Sequence, residues 1–290
     1  MTCDVSGSGR KAAAWWLSLA AALIVGLASA SARAQNVALV TDMSGRVTGP
    51  EAVRVLSEVG VNTNLQLDAG SRLAVIYLAS GTEYRFTDPA QVRFQAAEPL
   101  VVTGAQPQKK ASILAKGVGV EIKPSRVAQA AFVMRGGVVA HIKVIGPAGT
   151  RTLGTPAELR WQEAEPGMTY HFELVDAGGK TVYGTDTSTA AVTLPTSVQL
   201  QDGAKYSWDV AAHAASGRRF VGSGDFSVAT PALRAEAEAL RPGANATLSD
   251  RVAYAAWLTQ MELHDEARKA WKVLATERPD EPLLRSQAGE

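Results

Sequence analysis

Leu65-Gln66-Leu67-Asp68-Ala69-Gly70-Ser71-Arg72-Leu73-Ala74-Val75-Ile76-Tyr77 is the stretch whose reading decides the fold class. Leu65-x-Leu67 and Leu73-x-Val75-x-Tyr77 alternate with a period of two, which puts these side chains on one face of a half-buried strand. Asp68-Ala69-Gly70-Ser71 supplies the turn between them. The pattern continues in both directions: Val37-x-Leu39 precedes it, and Tyr84-x-Phe86 and Val92-x-Phe94 follow, with breaks at Ser80-Gly81-Thr82 and Asp88-Pro89. Residues 37–94 therefore read as a compact all-β unit of short strands.

Gly45-x-Val47, the apolar pair before Gly70-Ser71, the apolar strand Leu73 to Leu78, then Gly81 and a second strand through Phe86 ending near Pro89 give an order that resembles the FecR-like domain family over about residues 37–98. The sequence departs from that pattern at Thr63-Asn64, where a turn glycine is expected. FecR-like domains are known as the periplasmic part of transmembrane regulators that pass an iron-siderophore signal to a sigma factor. That role needs a cytoplasmic portion and a membrane span, so the resemblance implies only the domain type, a small envelope-associated β-domain.

Gln106-Pro107-Gln108-Lys109-Lys110 reads as an exposed turn. Val118-x-Val120-x-Ile122 reads as a strand stopped by Lys123-Pro124. With Ala131 to Met134 it is expected to complete the first β-domain, and Gly136-Gly137 marks a boundary.

From His141 to Ala229 apolar runs recur at the spacing of a β-sandwich. They are Ile142-x-Val144, Leu159-x-Trp161, Tyr170-x-Phe172-x-Leu174, Thr181-Val182-Tyr183, Ala190-x-Val192-x-Leu194, Tyr206-x-Trp208-x-Val210 and Phe226-x-Val228. Asp176-Ala177-Gly178-Gly179 sits where a hairpin turn is required. With Pro147 in the first strand, Trp161 on an early one and Tyr206-x-Trp208 on a late one, this segment resembles a fibronectin type III or immunoglobulin-like sandwich.

After Pro231 the period changes. Ala232 to Leu240 suits a short helix closed by Arg241-Pro242-Gly243. Ser249-Asp250 offers an N-cap for a second helix through about Glu262, and Asp265 one for a third, Glu266 to Glu277, stopped by Pro279. Ala255, Leu258, Ala267, Trp271 and Pro279 give the last two helices a resemblance to one tetratricopeptide unit, although Arg251 stands where a tryptophan is common. A single unit does not make a solenoid, so the pair is expected to pack on its neighbour.

Residues 1–34 read as a secretory signal peptide: Arg10 and Lys11 precede an apolar run from Ala12 to Ala28, and Ala32-Arg33-Ala34 has the small-x-small pattern of a cleavage site. Cleavage is expected before Gln35. The alternative is an anchor retained through the apolar run, which N-terminal sequencing distinguishes. The only cysteine of the 290 residues, Cys3, lies in this leader. The mature chain then has neither disulfides nor thiolate zinc sites. Loss of Arg10, Lys11, Arg33 and Asp4 turns the formal charge from +1 to −1. Such a balance gives no basis for nucleic-acid binding by bulk charge, although Lys109, Lys110, Lys116, Lys123 and Arg126 make the first domain slightly cationic.

No sequence pattern nominates a catalytic, cofactor or metal site. His141, His171, His213 and His264 lack ligand spacing. Gly222-x-Gly224 followed by Asp225 has the outline of a phosphate loop but no following helix or lysine, and reads as a turn. Glu158, Glu163 and Glu165 could form an acid–base pair, yet Pro166-Gly167 directly after them favours a solvated loop. Trp161 and Trp208 could stack on sugars, but alternation with Tyr170 and Phe172 assigns them to a core. Trp257 and Trp271 are likewise expected on the helical packing face.

The chain is thus expected to be mainly β and multidomain: a signal peptide (1–34), a FecR-like β-domain with an extension (35–135), a fibronectin type III-like sandwich (136–230) and an α-helical, tetratricopeptide-like C-terminus (231–290). The expected function is that of a non-enzymatic, cofactor-free, exported bacterial envelope protein that binds or scaffolds an envelope protein or cell-wall glycan, in the periplasm or outside the cell. No nucleic-acid partner and no membrane span after cleavage are expected, and the oligomeric state is left open. A periplasmic signalling accessory and a glycan-active enzyme working through Glu163 are the alternatives.

Overall fold

The computed structural model describes residues 35–113 and 139–289. The expected cleavage site, and the expectations for Val118–Ile122, Ala131–Met134 and Gly136-Gly137, lie outside the described residues. The described chain is mainly β, with several antiparallel sheets and a short C-terminal helical segment.

Nine strands make the first unit: β1 (Asn36–Ser44), β2 (Val47–Thr48), β3 (Glu58–Gly60), β4 (Asn64–Leu67), β5 (Arg72–Tyr77), β6 (Thr82–Thr87), β7 (Ala90–Phe94), β8 (Pro99–Thr103) and β9 (Gln108–Ala111). One sheet has the order β3-β1-β5-β6-β9 and the other β2-β4-β7-β8. The alternating residues of the opening stretch close the core between them: Leu65, Leu67, Leu73, Val75, Tyr77, Tyr84, Phe86, Val92 and Phe94 are all buried in one cluster. Gly45 makes the first turn possible. Its φ is +77°, and a Cβ there would stand 2.6 Å from Oγ of Ser71, the hydroxyl that accepts from the Arg46 N–H and donates to the Arg46 carbonyl.

Residues 108–110 depart from the expected exposed turn. They belong to β9, which pairs antiparallel with β6, Lys110 opposite Glu83 and Lys109 opposite Tyr84. Charged side chains on an edge strand keep it from templating further strands, and that role gives the two lysines a place in a sheet.

The second unit comprises β10 (Val139–His141), β11 (Val144–Gly146), β12 (Thr150–Thr152), β13 (Leu159–Trp161), β14 (Tyr170–Asp176), β15 (Thr181–Thr187), β16 (Ala191–Val192), β17 (Lys205–His213) and β18 (Arg219–Val228). The main sheet runs β10-β18-β17-β14-β15, and β11-β13-β16 covers it. Strand β18 is long enough to pair in parallel with β10 at Arg219–Val221 and with β12 at Phe226–Val228.

Trp161 and Trp208 are fully buried here, 6.1 Å apart between ring centroids, and Phe172 packs against both at 6.2 and 5.8 Å. Gly222-Ser223-Gly224 is not a turn. It lies inside β18, opposite Val210 and Trp208. A Cβ on Gly224 would approach the indole of Trp208 to 2.8 Å, so the glycine makes room for the ring.

Four helices follow: α1 (Pro231–Leu240), α2 (Leu248–Gln260), α3 (His264–Glu277) and α4 (Pro282–Ala288). Helix α1 is capped by Thr230, whose Oγ1 accepts from the Leu233 N–H. The cap of α2 is Thr247, ahead of the expected Ser249-Asp250, because Thr247 and Asp250 form a reciprocal capping box. Ser249 is instead buried, its hydroxyl 2.7 Å from that of Thr41 on β1. Helix α3 starts without a side-chain cap at His264, whose N–H donates to Oγ1 of Thr150. Helix α4 has no counterpart among the expected elements, being seven residues long and opened by Pro282 after the stop at Pro279.

These helices do not form a separate tail. Val252, Trp257, Leu263, Trp271 and Leu274 share one core with Val55, Leu56 and Ile76 of the first unit. This explains why β5 is buried on both faces, Leu73, Val75 and Tyr77 against the opposite sheet and Ile76 against the helices. Polar contacts extend the junction. Arg85 donates to Thr247, and Lys110 donates to both carboxylate oxygens of Asp250 at 2.9 and 3.0 Å. Burial opposes ionisation of Asp250, but the Lys110 ammonium and the Thr247 donors outweigh it and hold the carboxyl below its usual range. At the other end of α2, Arg151 of β12 bonds the Met261 carbonyl and the Glu262 carboxylate.

Candidate functional site

Strands β4 and β7 each turn one set of side chains inward and the alternate set outward. In β4 the buried residues are Leu65 and Leu67, and the exposed ones Asn64 and Gln66. In β7, Val92 and Phe94 are buried and Gln91 and Arg93 exposed. Antiparallel pairing sets Asn64 opposite Arg93 and Gln66 opposite Gln91. The result is an outer face of three amides and one guanidinium, with Thr48 and Gly49 on one side and Val102 of β8 on the other. It lines an open, shallow concavity of about 410 Å³.

The Nε of Arg93 donates to Oδ1 of Asn64 at 3.0 Å. Among the described residues no carboxylate pairs with this guanidinium, so its terminal N–H groups remain available as a planar fork for an anion. Leu100 stands opposite Arg93 on β8, and Val102 falls in a register irregularity between Val101, opposite Val92, and Thr103, opposite Gln91. Leu100 and Val102 are exposed, at 46% and 53%.

These residues were not singled out by their sequence. The alternation Leu65-x-Leu67 and Val92-x-Phe94 already assigns Asn64, Gln66, Gln91 and Arg93 to the opposite face, but which strands stand side by side is a tertiary fact.

The residues weighed from sequence do not converge. His141 and His171 share a row of the main sandwich sheet, separated by Val221 and Ala211. Three strand spacings put them about 14 Å apart. His171 pairs with Asp186 at 2.8 Å on the surface, His213 is exposed, and His264 opens α3. Among the described residues no three His, Cys, Asp or Glu side chains are placed to hold a metal ion. Glu158 pairs with Arg160, Glu165 with Arg218, and Glu163 is exposed. Lys109 is bound to Glu98 and Lys110 to Asp250, while Lys116, Lys123 and Arg126 lie outside the described residues.

One unusual carboxylate does occur on the sandwich. Asp209 is exposed and faces Glu173 across β17 and β14, and desolvation by the surrounding sheet together with the Glu173 charge pushes its carboxyl above the ordinary range. A carboxyl whose pKa rises on folding opposes folding once ionised, so the penalty is present above the folded pKa and disappears as pH falls below the unfolded value. Asp209→Asn is therefore expected to stabilise the protein at pH 7 by roughly 0.2–1 kcal/mol, the scale of a like-charge cross-strand pair. Urea denaturation should show that gain at pH 7 and none at pH 3. Equal midpoints at pH 7 would contradict it.

No protein-family model matches this sequence, and comparison with curated proteins finds no match. Among solved structures, CopC from Methylosinus trichosporium OB3b is 19% identical over 31% of this chain and 96% of its own, with a TM-score of 0.25. PorZ, a bacterial surface component of the type-IX secretion system of Porphyromonas gingivalis, is 10% identical over 59% of this chain and 24% of its own, with a TM-score of 0.21. No helix among the described residues is long and apolar enough to cross a membrane.

Proposed function

We infer that the chain is a non-enzymatic exported envelope protein that acts as a binding module, with residues 1–34 as its export leader and the first unit retaining the envelope character of the FecR-like domains it resembles. The observation that carries the reading is the outer face of β4 and β7. It gathers hydrogen-bonding amides and the Arg93 guanidinium, held at Nε by Asn64 and without a carboxylate partner among the described residues, in a concavity, on a sheet whose other face is a filled apolar core. A rigid scaffold with outward-facing, unspent hydrogen-bonding groups suits recognition.

Residues 35–290, immobilised and exposed to an envelope extract, are expected to retain a specific protein or glycan partner that a surface-matched control column does not. Retention of nothing, together with hydrolysis of cell-wall material, would overturn the reading.

A further inference from the structure

Sheet edges differ sharply in what they offer to an incoming strand. Edge strand β9 carries Lys109 and Lys110, β3 is three residues long with Glu58 in it, and β15 carries Asp186. Charge and shortness protect such edges from strand addition. Strand β8, Pro99-Leu100-Val101-Val102-Thr103, has no charged residue and pairs with β7 on one side only among the described residues. Of its two exposed apolar side chains, Leu100 stands opposite Arg93 on β7 and Val102 lines the concavity that holds Arg93. Pro99 stands at the first position, where its missing N–H interrupts least.

Resting on the reading of the chain as a binding module, we propose that β8 accepts an extended polypeptide segment bearing a carboxylate side chain, which adds as a further strand to the β2-β4-β7-β8 sheet. Backbone groups of β8 supply the affinity common to strand addition, and alternate side chains of the guest supply the selectivity. On the outer face an apolar guest side chain covers Leu100 and Val102. An aspartate or glutamate two residues along the guest, on the same outer face, pairs with the terminal N–H groups of Arg93, whose Nε is already held by Asn64.

The chemistry favours a peptide over a glycan or a nucleic acid. A nucleobase or the apolar face of a sugar is held against an aromatic ring, and no aromatic side chain is among the residues lining the concavity.

The test is selection of random dodecapeptides displayed on phage against residues 35–290, followed by calorimetric titration of the enriched peptides. The expected peptides alternate apolar residues and carry at least one Asp or Glu. Arg93→Glu and Val102→Lys should each weaken them about tenfold or more, with thermal unfolding unchanged because both side chains are exposed. N-methylation of alternate peptide amides should abolish binding.

Absence of enrichment, or peptides that bind both variants equally well, would overturn the proposal. So would competition by soluble cell-wall glycan alone, or a dimer of this chain that Val102→Lys dissociates, since each assigns the edge to another occupant. If the envelope-extract partner is retained equally by Arg93→Glu, the binding-module reading survives and this site falls. If neither protein binds anything, both fall.

Discussion

Removal of residues 231–290 is expected to unfold the first β-unit while leaving the sandwich folded. Val55, Leu56 and Ile76 are 0%, 7% and 1% exposed, and the core that buries them is otherwise built largely from the helices, with Val252, Trp257, Leu263, Trp271 and Leu274 among its members. Fully burying aliphatic side chains of this size contributes about 1.5–3 kcal/mol each, so exposing three removes an amount comparable with the roughly 5–15 kcal/mol of a whole domain. The loss also uncovers the Thr41 hydroxyl, bonded to Ser249, and removes Thr247 from Arg85, whose Nε neutralises the buried Glu83 carboxylate at 2.7 Å. The sandwich core contains no helical residue and does not depend on the helices in this way. Hydrogen exchange on residues 35–230 should show fast exchange in β1 and β5 and full protection in β14 and β17. Protection of β1 and β5 equal to that in residues 35–290 would contradict the shared core. Because truncation is drastic, Trp257→Ala in the full chain offers a milder form, and β5 should lose protection there before β17 does.

The sandwich should in turn respond most strongly to Trp208→Ala. The indole is fully buried, its ring lies among Trp161 and Phe172, and its Nε1 donates to the Pro147 carbonyl at 2.8 Å. Large aromatic truncations in cores cost about 3–5 kcal/mol, and Gly224 beneath the ring has no side chain to fill the space. Trp208→Phe keeps most of the volume and removes the hydrogen bond, worth about 1 kcal/mol, while leaving the Pro147 carbonyl without this donor. Urea denaturation of the two variants should therefore separate packing from hydrogen bonding. A loss under 1 kcal/mol for Trp208→Ala would show that the site collapses around the gap.

The shared core also bears on the signalling alternative. Because Val55, Leu56 and Ile76 share a cluster with the helices, deletion of residues 231–290 is expected to impair ligand binding by the first unit together with any signalling.

Period-two runs were legible wherever a strand had one face in a core: Leu65 and Leu67, Val92 and Phe94, Tyr206 and Trp208 all fall as the alternation requires. Strands with little apolar content were not. Strand β9 is made of Gln108, Lys109, Lys110 and Ala111, all exposed, and exists because β6 offers it an edge to pair with. Gly222 and Gly224 read as turn residues for a related reason. Their effect is to leave space beneath Ile142 and Trp208, and that need is invisible until the partners are known. The candidate face followed the same logic, with its polar residues assignable to the outer side and its grouping not.

By itself, then, the sequence determined what short-range periodicity and capping chemistry can encode: a mainly β chain in two strand-rich stretches, an α-helical end, and tryptophans committed to cores. Tertiary structure decided which strands adjoin, that the helices complete the core of the first unit, and that Asn64, Gln66, Gln91, Arg93 and Val102 surround one concavity beside a strand that pairs on one side only among the described residues. The physical reason is that alternation reports which side of a strand is apolar, whereas neighbours are chosen by pairing and burial between segments far apart in the chain.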